Sequence, residues 1–279
     1  MTDYEIIDCG DFEKLERIGS FRLRRPSPQA VWSRSLDRSE WKNHQAEFIR
    51  KSDGKGDWRN VSSDLPEDWD IDHFGVKMRM RRTGFGHIGA FFEQGPNWVE
   101  FRELCMNRGS NTPYRVLNLF AYTGGASIAC AQSGAEVVHL DASKTSVQWA
   151  KENSELNELG DAPIRYIVDD VKSFVEREVR RENKYEAIIL DPPSFGRGTK
   201  KQVWKIEDDM VPLLENLKLL KSENFHFISL SSHSQGYTPL ALENLLKSFA
   251  PGETSSKEMT VPFNNGHLPA GATACLVSK

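Results

Sequence analysis

Two short stretches of the sequence carry residue types that could hold and position reacting molecules. Residues 122–125, Tyr-Thr-Gly-Gly, contain paired glycines, which let the backbone turn sharply and approach a ligand closely. Residues 191–195, Asp-Pro-Pro-Ser-Phe, contain consecutive prolines, which fix φ, remove backbone donors and hold the turn rigid. The carboxylate and the backbone carbonyls of this second turn, which we expect to be free, could orient an amino group or a ring nitrogen, while the phenyl ring stacks on a flat ring.

The elements around these turns predict an open parallel sheet. Apolar runs at residues 116–120 and 185–190 precede the two turns, and residues 137–140 form another apolar run before Asp141. Such a sheet binds ligands outside the carboxyl ends of its strands, so we expect the glycine turn and Asp141 to face one crevice. A carboxylate there can accept both hydroxyls of a ribose, which predicts a site for a nucleoside cofactor.

The glycine spacing distinguishes between two nucleoside cofactors. A nicotinamide dinucleotide site requires Gly-x-Gly-x-x-Gly and a helix N-terminus open to a pyrophosphate. Here only Gly124 and Gly125 occur, and Tyr122 stands where another glycine should lie. S-adenosylmethionine carries no phosphate and needs a shaped turn, so the stretch favours S-adenosylmethionine. A structural role for the turn glycines and a capping aspartate stays open as the alternative.

Residues 115–279 alternate strand and helix patterns, which is typical of a parallel sheet covered on both faces. Ser143 is a candidate cap for a helix reaching residue 158. Residues 164–168 form the third strand, and the Asp169-Asp170 pair that follows could meet an adenine amino group or cap the next helix. Residues 225–230 form the fifth strand. Two late strands, 258–262 and 272–278, have no helix between them and should pair antiparallel at one sheet edge.

Residues 1–110 differ from the rest in their pattern of short alternating segments, which predicts a small β-rich accessory domain. A catalytic domain is expected at residues 111–279. A hairpin is expected at residues 4–18, residues 39–51 suit a helix or a strand, and residues 87–92 look like a strand. The region also contains a group of basic residues, namely Lys77, Arg79, Arg81 and Arg82. On a strand they could line one face and contact the phosphates of an RNA backbone, with Phe85 stacking on a base. The alternative is a solvated strand edge protected by charge.

Composition limits the functional classes. The 279 residues are 38% hydrophobic and 27% charged, ordinary values for a soluble globular protein, and the net charge of −4 gives no general support for a nucleic-acid partner. No apolar run of about 18 residues or secretory leader is evident. Four scattered cysteines without a Cys-x-x-Cys pair fit a reducing cytoplasm and argue against zinc and disulfides. We therefore expect a cytoplasmic protein without a metal or a membrane partner.

The assembled motifs resemble a known family. The segments LNLFAYTGGAS, HLDASKTSVQWAKENSELN, RYIVDDVKSFV and ILDPPSFGRG, with FFEQGPNW upstream, resemble class I S-adenosylmethionine-dependent methyltransferases, specifically the bacterial large-subunit ribosomal RNA methyltransferases. The resemblance covers residues 85–235. It implies an α/β fold with a Rossmann-like seven-stranded sheet whose last strand is antiparallel, here joined to the small N-terminal β-rich domain.

The turns and the resemblance together predict two sets of site residues. The catalytic set comprises Asp191, Pro192, Pro193, Ser194 and Phe195. The residues expected to contact S-adenosylmethionine are Gln94, Phe120, Ala121, Tyr122, Thr123, Gly124, Gly125, Asp141, Ala142, Ser143, Asp169, Asp170, Val171 and Asp191. Arg197, Lys200 and Lys201, with Gly196 and Gly198, suggest a mobile basic loop over the substrate.

Two departures from the family pattern bear on the chemistry. Members that methylate cytosine C5 use a cysteine nucleophile, but the end of the fifth strand carries Ser231, Ser232 and His233. A Ser/His nucleophile is disfavoured because no Gly-x-Ser-x-Gly elbow precedes it. Amino-group methylators place an aromatic residue directly after Pro-Pro, whereas Ser194 intervenes here. The usual RNA-binding module is also not evident.

We therefore predict an S-adenosylmethionine-dependent methyltransferase that acts on RNA, in particular ribosomal RNA, by direct methyl transfer to a base. Two alternatives stay open: a methyltransferase of small molecules or proteins, and a non-catalytic, cofactor-dependent RNA-binding protein.

Overall fold

The computed structural model describes residues 2–51, 55–107, 113–198, 202–264 and 266–279. The chain divides into two compact units. One comprises Met1–Gly95 and Thr260–Ala270, and the other comprises Pro96–Met259 and Gly271–Lys279. The assignment of an accessory role to residues 1–110 and a catalytic role to residues 111–279 stays a prediction.

The N-terminal unit is rich in β-structure. Its elements are β1 (Tyr4–Gly10), β2 (Glu13–Ile18), β3 (Phe21–Pro26), α1 (Arg38–Lys42), β4 (Ala46–Arg50), β5 (Gly56–Arg59), β6 (Asp68–His73) and β7 (Val76–Arg81). Within the described residues, β1 to β5 form one sheet in sequence order, and β6 pairs with β7 in a separate hairpin. The predicted hairpin at residues 4–18 is therefore confirmed, and residues 39–51 contain both a helix and a strand.

The strand predicted at residues 87–92 is wrong. The carbonyl of His87 accepts hydrogen bonds from the backbone and hydroxyl of Thr83, and the carbonyl of Ile88 accepts one from Arg81. These bonds fold the segment back onto the end of β7, and the chain then enters a short 3-10 turn at Phe92–Gln94. Ile88, Ala90 and Phe92 are buried in this loop rather than on one face of a strand.

Buried charges lie inside the five-stranded sheet. Glu16 on β2 is fully buried, and its carboxylate accepts hydrogen bonds from the Arg25 guanidinium on β3 and from the hydroxyl of Tyr4 on β1. The ammonium of Lys14 lies 3.0 Å from the same carboxylate. Because each buried charge has a partner, the network holds three adjacent strands in one register.

The second unit begins with α2 (Gly95–Met106) and contains an alternating α/β array. Its remaining elements are β8 (Arg115–Leu119), α3 (Gly125–Gln132), β9 (Glu136–Asp141), α4 (Lys144–Leu156), β10 (Ile164–Val168), α5 (Val171–Arg180), β11 (Ala187–Leu190), β12 (Phe195–Arg197), β13 (Val203–Lys205), α6 (Ile206–Lys218), β14 (Phe227–Ser232), α7 (Pro239–Lys247), β15 (Gly252–Phe263) and β16 (Gly266–Ser278).

The main sheet has the predicted fold class. In the described part of the chain its seven strands run in the order β10-β9-β8-β11-β14-β16-β15. Five neighbouring strands of this sheet are mutually parallel: β10, β9, β8, β11 and β14. The next strand, β16, runs antiparallel to β14. The predicted Rossmann-like sheet with an antiparallel last strand, together with an N-terminal β-rich region, is confirmed.

The centre of the sheet is buried on both faces. All four residues of β11 are buried, which explains why its sequence is a continuous apolar run rather than an alternating one. All six residues of β14 are buried as well, although three of them are serines. Leu117, Leu119, Ile188 and Leu230 pack in one core with the inner faces of α5, α6 and α7. Residues at the carboxyl ends of β8, β11 and β14 are therefore anchored in a rigid scaffold.

Candidate active site

The glycine turn follows β8 and is a tight, strained bend. Phe120 and Tyr122 have φ values of 56° and 49°, a region that residues with a side chain adopt infrequently, and Gly124 has φ of 94°. Such conformations cost about 1–3 kcal/mol each and persist only where the surrounding structure holds them in place. The bend is therefore held in this conformation by the residues packed around it.

Packing around the bend explains the two glycines. A Cβ on Gly124 would lie 3.0 Å from the Cβ of Ala150 on α4. A Cβ on Gly125, the first residue of α3, would overlap the indole of the buried Trp98 on α2. Close helix packing therefore requires glycine at position 125, and the tight contact together with the positive φ favours glycine at position 124.

Asp141 is the last residue of β9 and organises the bend. Its carboxylate accepts hydrogen bonds from the backbone N–H of Tyr122, at 2.9 Å, and from that of Ser143, at 2.8 Å. Burial raises the pKa of Asp141, while these two N–H donors act in the opposite direction. Each oxygen of an ionised carboxylate can accept more than one hydrogen bond, so this side chain retains capacity for a ribose hydroxyl.

The carboxylates after β10 are partly used by the fold. Asp170 caps α5, because its Oδ1 accepts a hydrogen bond of 2.9 Å from the backbone N–H of Ser173. Asp169 pairs with the guanidinium of Arg177 and also accepts a hydrogen bond from the backbone N–H of Asp170. The capping interpretation therefore describes Asp170, and contact of either aspartate with adenine stays a prediction. Val171, the first residue of α5, is buried.

The remaining predicted cofactor residues occupy two places. Ser143 caps α4 by accepting a hydrogen bond of 3.1 Å from Ser146, which confirms the predicted cap, and Ala142 precedes it. The carbonyl of Thr123 accepts a hydrogen bond from the Asn153 side chain. Gln94 is buried in the 3-10 turn and belongs to the N-terminal unit. Its contact with the cofactor stays a prediction.

The Asp-Pro-Pro turn follows β11, and two of its carbonyls are already bonded. The indole Nε1 of Trp204 donates a hydrogen bond of 2.7 Å to the carbonyl of Pro193, and the backbone N–H of Ile206 donates one of 3.1 Å to the carbonyl of Ser194. The expectation that the turn offers only free carbonyls is therefore wrong for these two. Within the described residues, no hydrogen bond reaches the carbonyl of Pro192.

The two turns lie at the same edge of the sheet. β8 and β11 are parallel neighbours, paired from Val116 to Leu119 and from Ala187 to Leu190, so their carboxyl ends coincide. The ring of Phe120, in the first turn, lies 4.8 Å from the ring of Trp204, the residue that holds Pro193 in the second. A single aromatic contact thus connects the glycine turn to the proline turn.

Phe195 starts a hairpin that sequence patterns did not reveal. β12 pairs antiparallel with β13, from Phe195 opposite Lys205 to Arg197 opposite Val203. The side chain of Phe195 is 52% exposed, and the guanidinium of Arg197 lies 6.0 Å from its ring. The predicted basic loop is thus a strand at Arg197, while Lys200 and Lys201 lie outside the described residues.

The end of β14 brings further polar groups to this edge. Ser231 and Ser232 are the last two residues of the strand and are buried. The Nε2 of His233, which follows them, lies 3.6 Å from Oδ1 of Asp191. The hydroxyl of Ser234 lies within hydrogen-bonding distance, 2.7 Å, of the hydroxyl of Ser194. The proline turn therefore contacts the residues that follow the neighbouring strand.

The cysteines do not supply a nucleophile. All four, Cys9, Cys105, Cys130 and Cys275, are buried. Burial raises the pKa of Cys275 to about 12 and that of Cys9 to about 11, so neither thiol ionises near neutral pH. Within the described residues, no group of three or more histidine, cysteine, aspartate or glutamate side chains could hold a metal ion.

The basic residues of β7 are paired within their own hairpin. Arg79 forms two hydrogen bonds with the carboxylate of Asp70 on β6, and Arg81 forms two with that of Asp68. Arg82 donates a hydrogen bond to the carbonyl of Pro66. Opposed charges thus neutralise the stripe, as in a solvated strand edge, while Phe85 is exposed beside it. No helix in the described residues is both long and apolar enough to span a membrane.

The strand order, with two turns at the same edge of a mostly parallel sheet, defines an α/β scaffold, and comparison with known proteins identifies its class. The sequence profile of the S-adenosylmethionine-dependent methyltransferase family matches residues 21–220. The chain belongs to this family, and S-adenosylmethionine is its cofactor. The resemblance derived from the motifs is confirmed.

Individual relatives agree with this assignment. The S-adenosylmethionine-dependent methyltransferase from Agrobacterium tumefaciens is 35% identical in its solved structure, with a TM-score of 0.93 over 99% of this chain and 91% of that one. Ribosomal RNA large subunit methyltransferase K/L from Shewanella frigidimarina is 33% identical over 56% of this chain and 21% of the relative. The protein of the same name from Pseudoalteromonas atlantica is 36% identical over 51% and 19%. The match thus spans about a fifth of these two curated relatives.

Proposed function

We propose that this methyltransferase transfers the methyl group of S-adenosylmethionine directly to a nitrogen of an RNA base, in the RNA of the large ribosomal subunit. The observation that carries the proposal is the exposed ring of Phe195, four residues after Asp191, where the rigid turn leads into β12. An exposed aromatic ring beside a fixed carboxylate suits a flat, nitrogen-bearing ring that must be both stacked and oriented. The names of the curated relatives support RNA as the substrate class.

The residues of the first turn fit the cofactor. Gly124 has a positive φ, and α3 begins at the next residue without a side-chain cap. Its first N–H groups can therefore donate hydrogen bonds to the carboxylate of the methionine portion. Asp141 would hold the ribose, and Asp169 and Asp170 would contact adenine. The bound cofactor supplies an electrophilic methyl group on a positively charged sulfur.

The proline turn would hold the acceptor. The carboxylate of Asp191 and the carbonyl of Pro192 can each accept a hydrogen bond from an amino group, which aims the nitrogen lone pair at the methyl carbon. The bonds from Trp204 and Ile206 fix the two following carbonyls, so the turn does not have to reorganise when the acceptor binds. Pro193 and Ser194 act as parts of this rigid support.

Direct transfer is favoured over a covalent intermediate. Methylation of an unactivated ring carbon requires a nucleophile that first attacks the ring, and cysteine is suited to this step because it readily forms a thiolate. The end of β14 carries Ser231, Ser232 and His233 instead, and all four cysteines are buried. A nitrogen acceptor has its own lone pair and requires no such attack.

Arg197 is the cation that we assign to RNA contact. Its side chain is exposed next to Phe195, and no ion pair involving it occurs among the described residues. Arg79 and Arg81 are engaged with aspartates. In RNA-binding assays, Arg197→Ala should weaken binding and lower the salt slope by about 0.7. Arg79→Ala is the matched control and should leave the salt slope unchanged. A lower slope in Arg79→Ala, with an unchanged slope in Arg197→Ala, would instead assign the RNA contact to the β6–β7 hairpin.

The deciding experiment compares modified nucleosides in ribosomal RNA from cells with and without the chain. Mass spectrometry should detect one N-methylated nucleoside that disappears on deletion and returns with wild-type protein but not with Asp191→Asn. Purified protein should also transfer labelled methyl groups to RNA from the deletion strain. Loss of no nucleoside, together with no labelling of RNA, would contradict an RNA substrate. RNA binding without labelling would instead favour a non-catalytic role.

A second candidate is methylation of a protein or a small molecule. It is favoured by the net charge of −4 and by the internal pairing of Arg79 and Arg81, which leave little unpaired cationic surface on that hairpin. Labelled S-adenosylmethionine incubated with a deletion-strain extract distinguishes the candidates. Label that survives ribonuclease but is lost to protease, or that passes an ultrafiltration membrane, would identify this second class.

A further inference from the structure

An imidazole stands next to the carboxylate that orients the acceptor. The Nε2 of His233 lies 3.6 Å from Oδ1 of Asp191, and the two side chains are 32% and 27% exposed. Asp191 follows β11 and His233 follows β14, which are parallel neighbours, so the pair joins two adjacent strand ends. Both side chains are therefore partly accessible to water.

The fold makes room for this imidazole at Gly271 on β16. A Cβ at that position would lie 2.9 Å from Nδ1 of His233 and 2.8 Å from the carbonyl oxygen of Ser232. Gly271 also has φ of 137°, a conformation that residues with a side chain rarely adopt. Glycine at this position therefore permits the backbone approach that seats His233.

The residues on both sides of His233 are fixed as well. Ser232 ends β14, and its hydroxyl accepts a hydrogen bond of 3.1 Å from the backbone N–H of Ser234. The hydroxyl of Ser234 is itself 2.7 Å from that of Ser194 in the proline turn. His233 therefore belongs to a short turn tied at two points, one of them in the loop that carries Asp191.

We propose that His233 is the terminal proton acceptor of the methyl transfer, taking through Asp191 the proton that the nitrogen nucleophile loses. This inference rests on the proposed function. As the nitrogen lone pair forms the N–C bond, the C–S bond breaks and its electron pair goes to sulfur. The nitrogen then carries one proton too many, which passes to the Asp191 carboxylate, on to Nε2 of His233 and from the exposed imidazole to water. The pair tightens from 3.6 Å when the acceptor is bound, since catalytic hydrogen bonds are commonly longer without ligand.

The groups around His233 set the pH dependence. The loop after β11 brings the carboxylate of Asp191, β16 brings the uncharged Gly271, and β15 brings the Met259 thioether against Gly271. The carboxylate favours the protonated imidazole. Only a neutral imidazole accepts a proton, so the rate should rise with pH on the acid side as His233 loses its charge.

The test uses the full chain with RNA from the deletion strain. His233→Asn should lower kcat/KM at pH 7 by about 100-fold and remove the acid limb of the pH profile, while cofactor affinity changes less than about twofold. Added imidazole should partly restore His233→Ala. Gly271→Ala, which displaces the ring without removing it, should show the same loss in smaller degree. His226 directly precedes the first residue of β14, at the end of the strand opposite His233. The control His226→Asn should therefore keep the wild-type pH profile of kcat/KM.

Two readouts separate this inference from the proposed function. If wild-type protein methylates RNA but His233→Asn keeps the rate and profile, the proton role is wrong and the function stands. If wild-type protein labels no RNA, the proposed function fails, and NMR titration of the His233 ring still tests the pair. Asp191→Asn should lower the pH at which that ring titrates, and an unchanged titration would overturn the pairing.

Discussion

The indole Nε1 of Trp204 donates a hydrogen bond of 2.7 Å to the carbonyl of Pro193, which lies eleven positions earlier in the chain. Trp204 lies in β13, is buried, and also contacts the ring of Phe120 in the glycine turn. One side chain thus holds the proline turn and touches the turn that we assign to the cofactor. The relative position of acceptor and methyl donor should depend on it.

Replacing Trp204 with phenylalanine should therefore slow turnover without comparable loss of cofactor affinity. The substituted phenyl ring would preserve aromatic packing against Phe120 but leave the Pro193 carbonyl without its donor, so the turn would shift. A displacement of about 1 Å costs up to about 100-fold in rate, and we expect a fall in kcat of roughly 10- to 100-fold. Single-turnover kinetics and calorimetry measure the two quantities.

The matched control for that experiment is Trp58→Phe. Its Nε1 also donates to a carbonyl, that of Thr83 at 2.9 Å, but within the N-terminal unit. The Trp58→Phe variant should lose a similar hydrogen bond but keep the turnover of the wild-type enzyme. Equal losses of turnover in both variants would mean that the Trp204 bond acts through general stability rather than through the proline turn.

Gly125 should be the least replaceable position of the glycine turn. An alanine Cβ there would overlap the indole of Trp98, which is buried and cannot move freely. Overpacking of this kind costs about 1–3 kcal/mol of unfolding free energy. Gly160→Ala is the control, because a Cβ there meets nothing within 4 Å. Chemical denaturation should separate the variants by at least about 1 kcal/mol, and equal stabilities would contradict the packing argument.

Asp141 should make cofactor binding sensitive to pH. Burial raises its pKa, against the effect of the Ser143 and Tyr122 N–H donors, so the carboxyl becomes protonated at a higher pH than an ordinary aspartate. The protonated form loses acceptor capacity, and affinity for S-adenosylmethionine should therefore fall as the pH falls through this raised pKa. Calorimetry across a pH series from neutral into the acid range measures the effect.

Asp141→Asn tests the same carboxylate at neutral pH. Hydrogen bonds to a charged group contribute about 1.5–3 kcal/mol each, so affinity should fall at least about 10-fold at pH 7 and lose its pH dependence. Asp161→Asn, which changes an exposed aspartate, should behave as wild type. Wild-type affinity in Asp141→Asn would remove the ribose assignment.

Local signals were sufficient for the parallel sheet and the position of its turns. Short stretches of sequence were enough to predict three kinds of feature: the apolar runs of β8, β9 and β10, the Ser143 cap, and the late antiparallel strands. Parallel pairing then fixes the turns at one edge, because strand direction alone determines where carboxyl ends lie. The assignment of individual side chains to cofactor or substrate stays a prediction.

Features that depend on distant residues were not predictable from one sequence. The β12–β13 hairpin has strands of three residues each, too short for a periodic signal, and is held by Trp204 and by the Lys172 ammonium. The pairing of Arg79 with Asp70 depends on the register of β6 and β7. The approach of His233 to Asp191 depends on Gly271, which lies far along the chain on β16.

Glu16 should make the N-terminal unit sensitive to acid. Burial alone would raise the pKa of this carboxyl, but Arg25 and Lys14 outweigh burial and lower it to about 2 from an ordinary 4.5. A depressed carboxyl pKa means that the unfolded chain binds the proton more readily. The stabilisation is therefore fully present above about pH 4.5 and is lost as the pH falls towards 2.

Substitution of Glu16 isolates this contribution. Glu16→Gln would leave Arg25 and Lys14 buried without a counter-charge, which costs about 3–5 kcal/mol of unfolding free energy. Glu5→Gln is the control, since its pair with Arg17 is exposed and contributes at most about 1 kcal/mol. Denaturant unfolding at pH 7 and pH 3 should show a smaller difference between wild type and Glu16→Gln at the lower pH, because wild type has lost part of the same interaction there. A constant difference would mean that Glu16 stabilises the sheet by packing rather than by charge.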